Sequence, residues 1–211
     1  MTPKQQYYEL VAGTLIKNLL KRQMEGYYCP DRESAVLKAL ELMPRGASIG
    51  WGGSQTLGQI GLMEAIQHQD YRLFDRTAAG TPEEQRAMKA SLFTCDWFLM
   101  STNAITLDGL RINIDGHGSR VAYLCYGPEH VLVFAGMNKL APDLDSGIKR
   151  ARNLAAPPNN VRLQTGTPCT LTGRCSDCLH AKSICCQFVV TRFCVIPGRI
   201  KVILIGEELG F

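Results

Sequence analysis

Ala47-Ser48-Ile49-Gly50-Trp51-Gly52-Gly53-Ser54-Gln55-Thr56-Leu57 decides how this chain folds. Ala47 to Trp51 is a short apolar run of strand length. Leu57, Ile60 and Met63 then recur at helical spacing, so Gly52 to Thr56 must turn a strand into a helix. Glycines let a backbone approach a ligand closely. Amides left unpaired at a helix start point outward and favour negative charge. Ser54 and Thr56 add hydroxyl donors. In an open α/β sheet the ligand crevice lies beyond the carboxyl ends of the strands, where this loop falls. The loop is neither a Gly-Lys-Ser/Thr phosphate loop nor a GxGxxG fingerprint. The plainer alternative is a tight turn with Ser54 as N-cap.

Strand and helix alternate on both sides of this loop. Upstream, Thr2, Pro3 and Gln5 form a capping box before a helix whose Tyr7, Val11 and Leu15 share a face. A second helix carries Val36, Leu37, Leu40 and Met43 and stops at Pro44-Arg45-Gly46. Downstream, Tyr71 to Phe74 reads as a strand, and Thr81-Pro82-Glu83-Glu84 caps a helix with Met88 and Leu92. Trp97 to Met100 is a continuous apolar run, as expected of a strand covered on both faces. Leu110, Ile112 and Ile114 alternate with polar residues, and Val121 to Cys125 returns after a Gly116-His117-Gly118-Ser119 turn; together they predict an antiparallel hairpin. Val131 to Ala135 is a buried strand. A helix with Leu144, Ile148 and Ala151 turns Lys149, Arg150 and Arg152 to water and ends at Pro157-Pro158. Lys201 to Ile205 closes the sheet. The expected fold is α/β: a mostly parallel open sheet with helices on both faces and a small antiparallel insertion. Residues 1–211 read as one domain, with a cysteine-rich segment at 165–190.

Bulk properties narrow the function. The 211 residues suffice for a sizeable core. A net charge of +4 is mild, and the basic residues are dispersed, so nucleic acid is not an expected partner. Trp51 and Trp97 read as core or pocket walls. No apolar stretch approaches membrane length, and the N-terminus does not read as a secretory signal. Cytoplasmic residence is expected, and with it reduced cysteines.

Polar residues gather at the predicted strand ends. Thr102-Asn103 follows the Trp97 strand, Asp108 and Asp115 flank the antiparallel insertion, Lys139 follows the Val131 strand, and Glu207 follows the last strand. Gly52, Gly53, Ser54, Gln55, Thr56, Thr102 and Asn103 are therefore candidate substrate-binding residues. Asp108, Asp115, Lys139 and Glu207 are candidate acid–base groups for proton transfer next to a carbonyl or phosphate ester.

Cys169, Cys175, Cys178 and Cys185 are spaced C-x5-C-x2-C-x6-C, with Cys186 adjacent. A C-x2-C pair brings two thiolates to one metal from a tight turn, and two more complete a four-thiolate set. Soft thiolates select zinc or an iron–sulfur cluster. The uneven spacing, with no second C-x2-C, favours a 4Fe–4S cluster over zinc. His180 is a substitute ligand. Cys29, Cys95, Cys125 and Cys194 read as buried core thiols.

Taken together, several motifs resemble the LUD (lactate-utilisation) domain family. They are Gly52-Gly53-Ser54-x-Thr56-Leu57, Thr102-Asn103-Ala104-Ile105-Thr106-x-Asp108-Gly109, Asn113-Ile114-Asp115-Gly116, Ser119-Arg120-Val121-Ala122, Gly136-x-Asn138-Lys139 and Thr172-Gly173-x-Cys175-x-Asp177-Cys178. The likeness spans nearly the whole chain and is to a shorter, cysteine-bearing branch. It implies a fold like that of ribose-5-phosphate isomerase, glucosamine-6-phosphate deaminase and the coenzyme A transferases, in which a loop after the first strand holds the substrate's acidic group. The Asp-Gly-Ala-Asp-Glu run of the isomerases is missing, so isomerase activity is not implied.

Three functions fit. The first is a redox accessory in organic-acid oxidation, with an iron–sulfur cluster, a small anionic metabolite and an iron–sulfur partner protein. The second is an isomerase- or transferase-like enzyme on a phosphorylated or coenzyme A-linked substrate, with structural zinc. The third is a non-catalytic ligand or redox sensor. A second copy of the chain is a further candidate partner.

Overall fold

The structure, a computed structural model, describes residues 1–211. Its strands are β1 (Glu25–Cys29), β2 (Ser48–Trp51), β3 (Arg72–Phe74), β4 (Trp97–Ser101) and β5 (Ala104–Thr106), then β6 (Arg111–Asp115), β7 (His130–Gly136), β8 (Leu140–Ala141), β9 (Gln187–Thr191) and β10 (Ile200–Ile205). The helices are α1 (Pro3–Lys21), α2 (Arg32–Leu42), α3 (Gln55–Gln59), α4 (Leu62–Gln67) and α5 (Pro82–Phe93), then α6 (Ser119–Cys125), α7 (Leu144–Arg150), α8 (Ala156–Leu163) and α9 (Pro168–Thr172).

Six strands make one all-parallel sheet in the order β1-β10-β7-β4-β2-β3. Its alternating side chains fill two cores. Phe98, Met100, Val131, Val133, Val202 and Leu204 pack under α1, α5 and α6. Trp97, Leu99, Leu132, Phe134, Ile203 and Ile205 pack under α2, α3 and α4. Each large side chain so buried contributes about 1.5–3 kcal/mol, so the central strands dominate stability. Because all six strands run the same way, the loops after β2, β4, β7 and β10 emerge on one edge. The chain leaves β2 by α3 and α4 on one face, and returns from β3 to β4 by α5 on the other. The order thus reverses beside β2 and β4, which opens a crevice there.

A second sheet, β8-β5-β6-β9, extends from that edge. It pairs β6 antiparallel with both β5 and β9, and β5 parallel with β8. Ala104, Ile112 and Ile114 pack with Ala151 beneath it.

The open α/β architecture follows from the sequence, and several local expectations are corrected. Both capping boxes form: Thr2 Oγ1 accepts from the Gln5 amide and Thr81 Oγ1 from the Glu84 amide, each at 3.2 Å. The buried face of α1 is Tyr8, Ala12, Leu15 and Leu19, one residue out of phase with the Tyr7 and Val11 stripe. Alanines let the helix sit close to the sheet, and α2 likewise buries Ala35 and Ala39 while Leu37 is exposed. Gly61, at φ 77°, splits the helix after the glycine loop into α3 and α4. Val121 to Cys125 is not a returning strand but the body of α6; β6 finds its partners in β5 and β9 instead. Nor does Pro157-Pro158 end a helix. The segment Ala151–Ala155 winds as a π-helix, with the Ala156 amide bonding to the Ala151 carbonyl, and the prolines fall in the first turn of α8. The wider turn and the helix start both tolerate a residue without an N–H. Arg150 is buried rather than wet, donating to the carbonyls of Asn138 and Asn103 at 2.9 and 2.5 Å. No helix is long and apolar enough to cross a membrane.

Candidate functional site

The crevice at the reversal point is a cleft of about 50 Å³ built from four strand ends and α8. From β2 come Gly53, Ser54, Gln55 and Thr56, and from β4 Ser101, Thr102 and Asn103. Lys139 follows β7, and Gly210 follows β10. Ser54 caps α3, its Oγ accepting from the Leu57 amide at 3.4 Å. At five residues α3 is too short to carry much dipole, so the positive field comes from side chains.

Lys139 lies at the floor, 3% exposed. Its Nζ donates to Thr56 Oγ1 at 3.0 Å and Ser101 Oγ at 2.9 Å. Ser101 Oγ in turn donates to the Phe134 carbonyl at 2.7 Å. No Asp or Glu side chain lines the cleft, and burial, then the nearby Arg150 and Arg120 guanidiniums, pulls the lysine down to about 7. Gly210 roofs the lysine. A Cβ there would lie 2.5 Å from Thr56 Oγ1 and 3.1 Å from Lys139 Nζ, and its φ of +61° also favours glycine.

Two further cations line the cleft that the sequence pattern did not single out as site residues. Arg120, on α6, donates from Nε to Asp115 at 3.0 Å and from its other side to the Ile114 carbonyl at 2.6 Å. Arg162, on α8, is steadied by Asn159 Oδ1 at 2.8 and 3.0 Å. Ala155, Asn159 and Arg162 recur at i, i+4, i+7, and that helical spacing was the available signal.

The remaining sequence-derived candidates divide by position. Gly52 lies one residue outside the cleft, against Arg120. The Thr102 hydroxyl is engaged by the Ala104 and Ile112 carbonyls, and Asn103 Oδ1 accepts from the Ile114 amide. Asp115 orients rather than lines: one oxygen accepts from the His117 and Gly118 amides, the other holds Arg120. Asp108 sits in the β5–β6 turn, paired with Arg22 at 2.7 Å. Glu207 grips Arg32 through its amide and guanidinium, which hold its carboxyl below the usual range. Neither Asp108 nor Glu207 lines the cleft.

Cys169, Cys175, Cys178 and Cys185 all line a second cavity, of about 150 Å³. Arg152 Nη2 donates to Cys175 Sγ at 3.6 Å and pairs with Asp177 at 2.5 Å. Burial, and then the other three thiols, push the Cys185 thiol up. No three Cys, His, Asp or Glu side chains are arranged to hold a single metal ion. His180 is exposed and does not line the cavity, and Cys186 points to solvent. Of the scattered cysteines, Cys29, Cys95 and Cys194 are buried as expected; Cys125, at the end of α6, is exposed. The two cavities stand back to back across α8. Asn159 and Arg162 face the cleft, Ala156 and Asn160 the cysteines.

Fold and site together define an open α/β protein with a basic, hydroxyl-lined cleft at the carboxyl edge of its parallel sheet. The chain belongs to the LUD domain family, whose model matches residues 13–205. A solved structure of a DUF162 family protein from Deinococcus radiodurans shares the fold at a TM-score of 0.53 and 12% identity, covering 94% of this chain and 98% of that one. No curated protein matches the chain.

Proposed function

We propose that the cleft binds the acidic group of a small organic acid or phosphate ester, and that Lys139 exchanges a proton with the bound molecule. One observation carries this: three cations line a cleft with no Asp or Glu side chain, and the deepest, Lys139, is held only by hydroxyls. A buried cation without a counter-ion is costly, and an anion relieves that cost. An amine poised near neutrality also suits general acid–base chemistry. This reading favours an enzyme of isomerase or transferase type on an acidic metabolite over a passive sensor.

The test is calorimetric titration with lactate between pH 6 and pH 9, where the ligand's own charge is constant. Lys139 is charged below about 7 and neutral above it. Arg150, which burial pulls down to about 10, keeps its proton throughout. Lactate affinity should therefore be greatest at pH 6 and fall about tenfold by pH 9. Affinity independent of pH would argue against a role for Lys139; no binding at any pH would remove the reading.

For the cysteine cavity the reading is a 4Fe–4S cluster held by Cys169, Cys175, Cys178 and Cys185, with zinc as the alternative. Four thiols around one cavity of about 150 Å³ support it. Bound there, a cluster would supply one-electron transfer and make the chain a redox accessory in organic-acid oxidation, beside an iron–sulfur partner. Anaerobically purified protein should be brown, with about four irons per chain, and Cys175→Ser with Cys178→Ser should lose them. Colourless, iron-free protein under those conditions would overturn this.

A further inference from the structure

Beside the cleft lies a third cavity, of about 190 Å³. It shares Arg120 with the cleft, and its wall includes Trp51 and Gly52, directly ahead of the Gly53–Thr56 segment that lines the cleft. What separates the two spaces is the Arg120 side chain lying on bare backbone. A Cβ on Gly52 would fall 2.7 Å from Arg120 Cγ, and one on Gly53 2.9 Å from Arg76 Nη2. Side chains at either position would displace these arginines, the movable partition between cavity and cleft.

The walls are of two kinds. Trp51, Phe98 and Tyr123 present rings, with Phe98 and Tyr123 packed at 4.8 Å between centroids. At the mouth, Arg76 and Lys89 have no ion-pair partner, and no carboxylate lines the cavity. Size narrows the occupant. The acid cleft, at about 50 Å³, holds an acidic group and little more. An apolar cavity of about 150 Å³ takes up benzene. One of 190 Å³ therefore accepts a single six-membered ring, and is too small for a fused base with its sugar.

We infer that this cavity is the side-group subsite of the cleft, and that the ligand is a small acid whose carboxylate or phosphate is linked to one flat, uncharged or acidic ring. The inference rests on the cleft's reading as an acid site. Aromatic faces would hold the ring, the unpaired cations would exclude amines, and Arg120 would stand between the ligand's two halves.

The experiment compares lactate, which fills the cleft alone, with 3-phenyllactate, which adds a ring one carbon further on, by calorimetry at pH 6. Burying the ring should tighten binding about tenfold to a hundredfold. Met88→Trp, which fills the cavity from α5, should abolish that ratio while leaving lactate affinity unchanged. If that variant does not fold, Gln85→Trp enters the same cavity from an exposed position. Equal affinities for the two acids in the native chain would overturn the subsite and leave the acid cleft standing. A ratio that survives a folded filling variant places the ring elsewhere and also overturns it. Binding of neither acid would remove both.

Discussion

Lys139→Met should make the protein more stable while abolishing its binding of small acids. Methionine matches the length of the lysine stem, and Thr56 Oγ1 can still reach Ser101 Oγ, 3.3 Å away. What disappears is a buried charge. An ordinary lysine titrates at 10.5, whereas this one is drawn down to about 7. Below pH 7 it is charged in both folded and unfolded chains, so folding bears the full desolvation cost. Between 7 and 10.5 the unfolded chain holds a proton that the folded chain has shed, so stability rises with pH. Above that both forms are neutral and the difference is gone. The gain from Lys139→Met is therefore greatest near pH 6, about 2–4 kcal/mol, or roughly 5–15 °C in melting temperature, and fades toward pH 10. Urea and thermal melts at pH 6 and pH 9 check it. Equal destabilisation at both would mean that the ammonium has a compensating partner. A residue that weakens the fold yet is held at a cleft floor is what function, rather than packing, explains.

Arg111 offers the contrasting case. It is wholly buried on β6, and none of its three guanidinium nitrogens has a hydrogen-bond partner. Asn113 Oδ1 on the same strand and Thr191 Oγ1 on the paired strand β9 are also unsatisfied, so the available acceptors lie out of reach. Burial, the dominant cause, pulls the guanidinium down to about 10, which leaves it charged at neutral pH. Arg111→Met should add about 1–4 kcal/mol of stability at pH 7. Unlike Lys139→Met, it should leave lactate binding untouched, because Arg111 lies outside the cleft. Chemical denaturation measures the first part and calorimetry the second. A loss of more than about 1 kcal/mol would show that the guanidinium is satisfied after all.

The sequence was legible where local chemistry decides structure. Thr2 and Thr81 announce their helices because a capping box is a local device. Trp97 to Met100 reads as a central strand because only a doubly covered strand is apolar at every position. It is ambiguous where an apolar run is short. Val121 to Cys125 is as strand-like in composition as Val131 to Ala135, yet Gly118, at φ 78°, starts a helix there. β1 escaped notice because Glu25-Gly26-Tyr27-Tyr28-Cys29 is half polar, its burial arising only from pairing with β10 and packing under α1 and α2. The strand ends alone bring the glycine loop and Lys139 to one edge of the sheet. Arg120 and Arg162 are not legible there, since only tertiary folding brings them to Gly53–Thr56, more than sixty positions earlier.

The π-helical turn at Ala151–Ala155 sets a rule of counting for this chain. A π turn contains one residue more than the α-helix it interrupts. Deleting exposed Leu154 would let the segment rewind as plain α-helix while the turns beyond it keep their phase, because the wide turn takes five residues where an α turn takes about four. Deleting Pro158, where no wide turn absorbs the loss, would instead rotate everything beyond it by about 100° and swing Asn159 and Arg162 off the cleft. The wide turn is thus where this helix can lose a residue and still keep the two cavities in phase on either side of it.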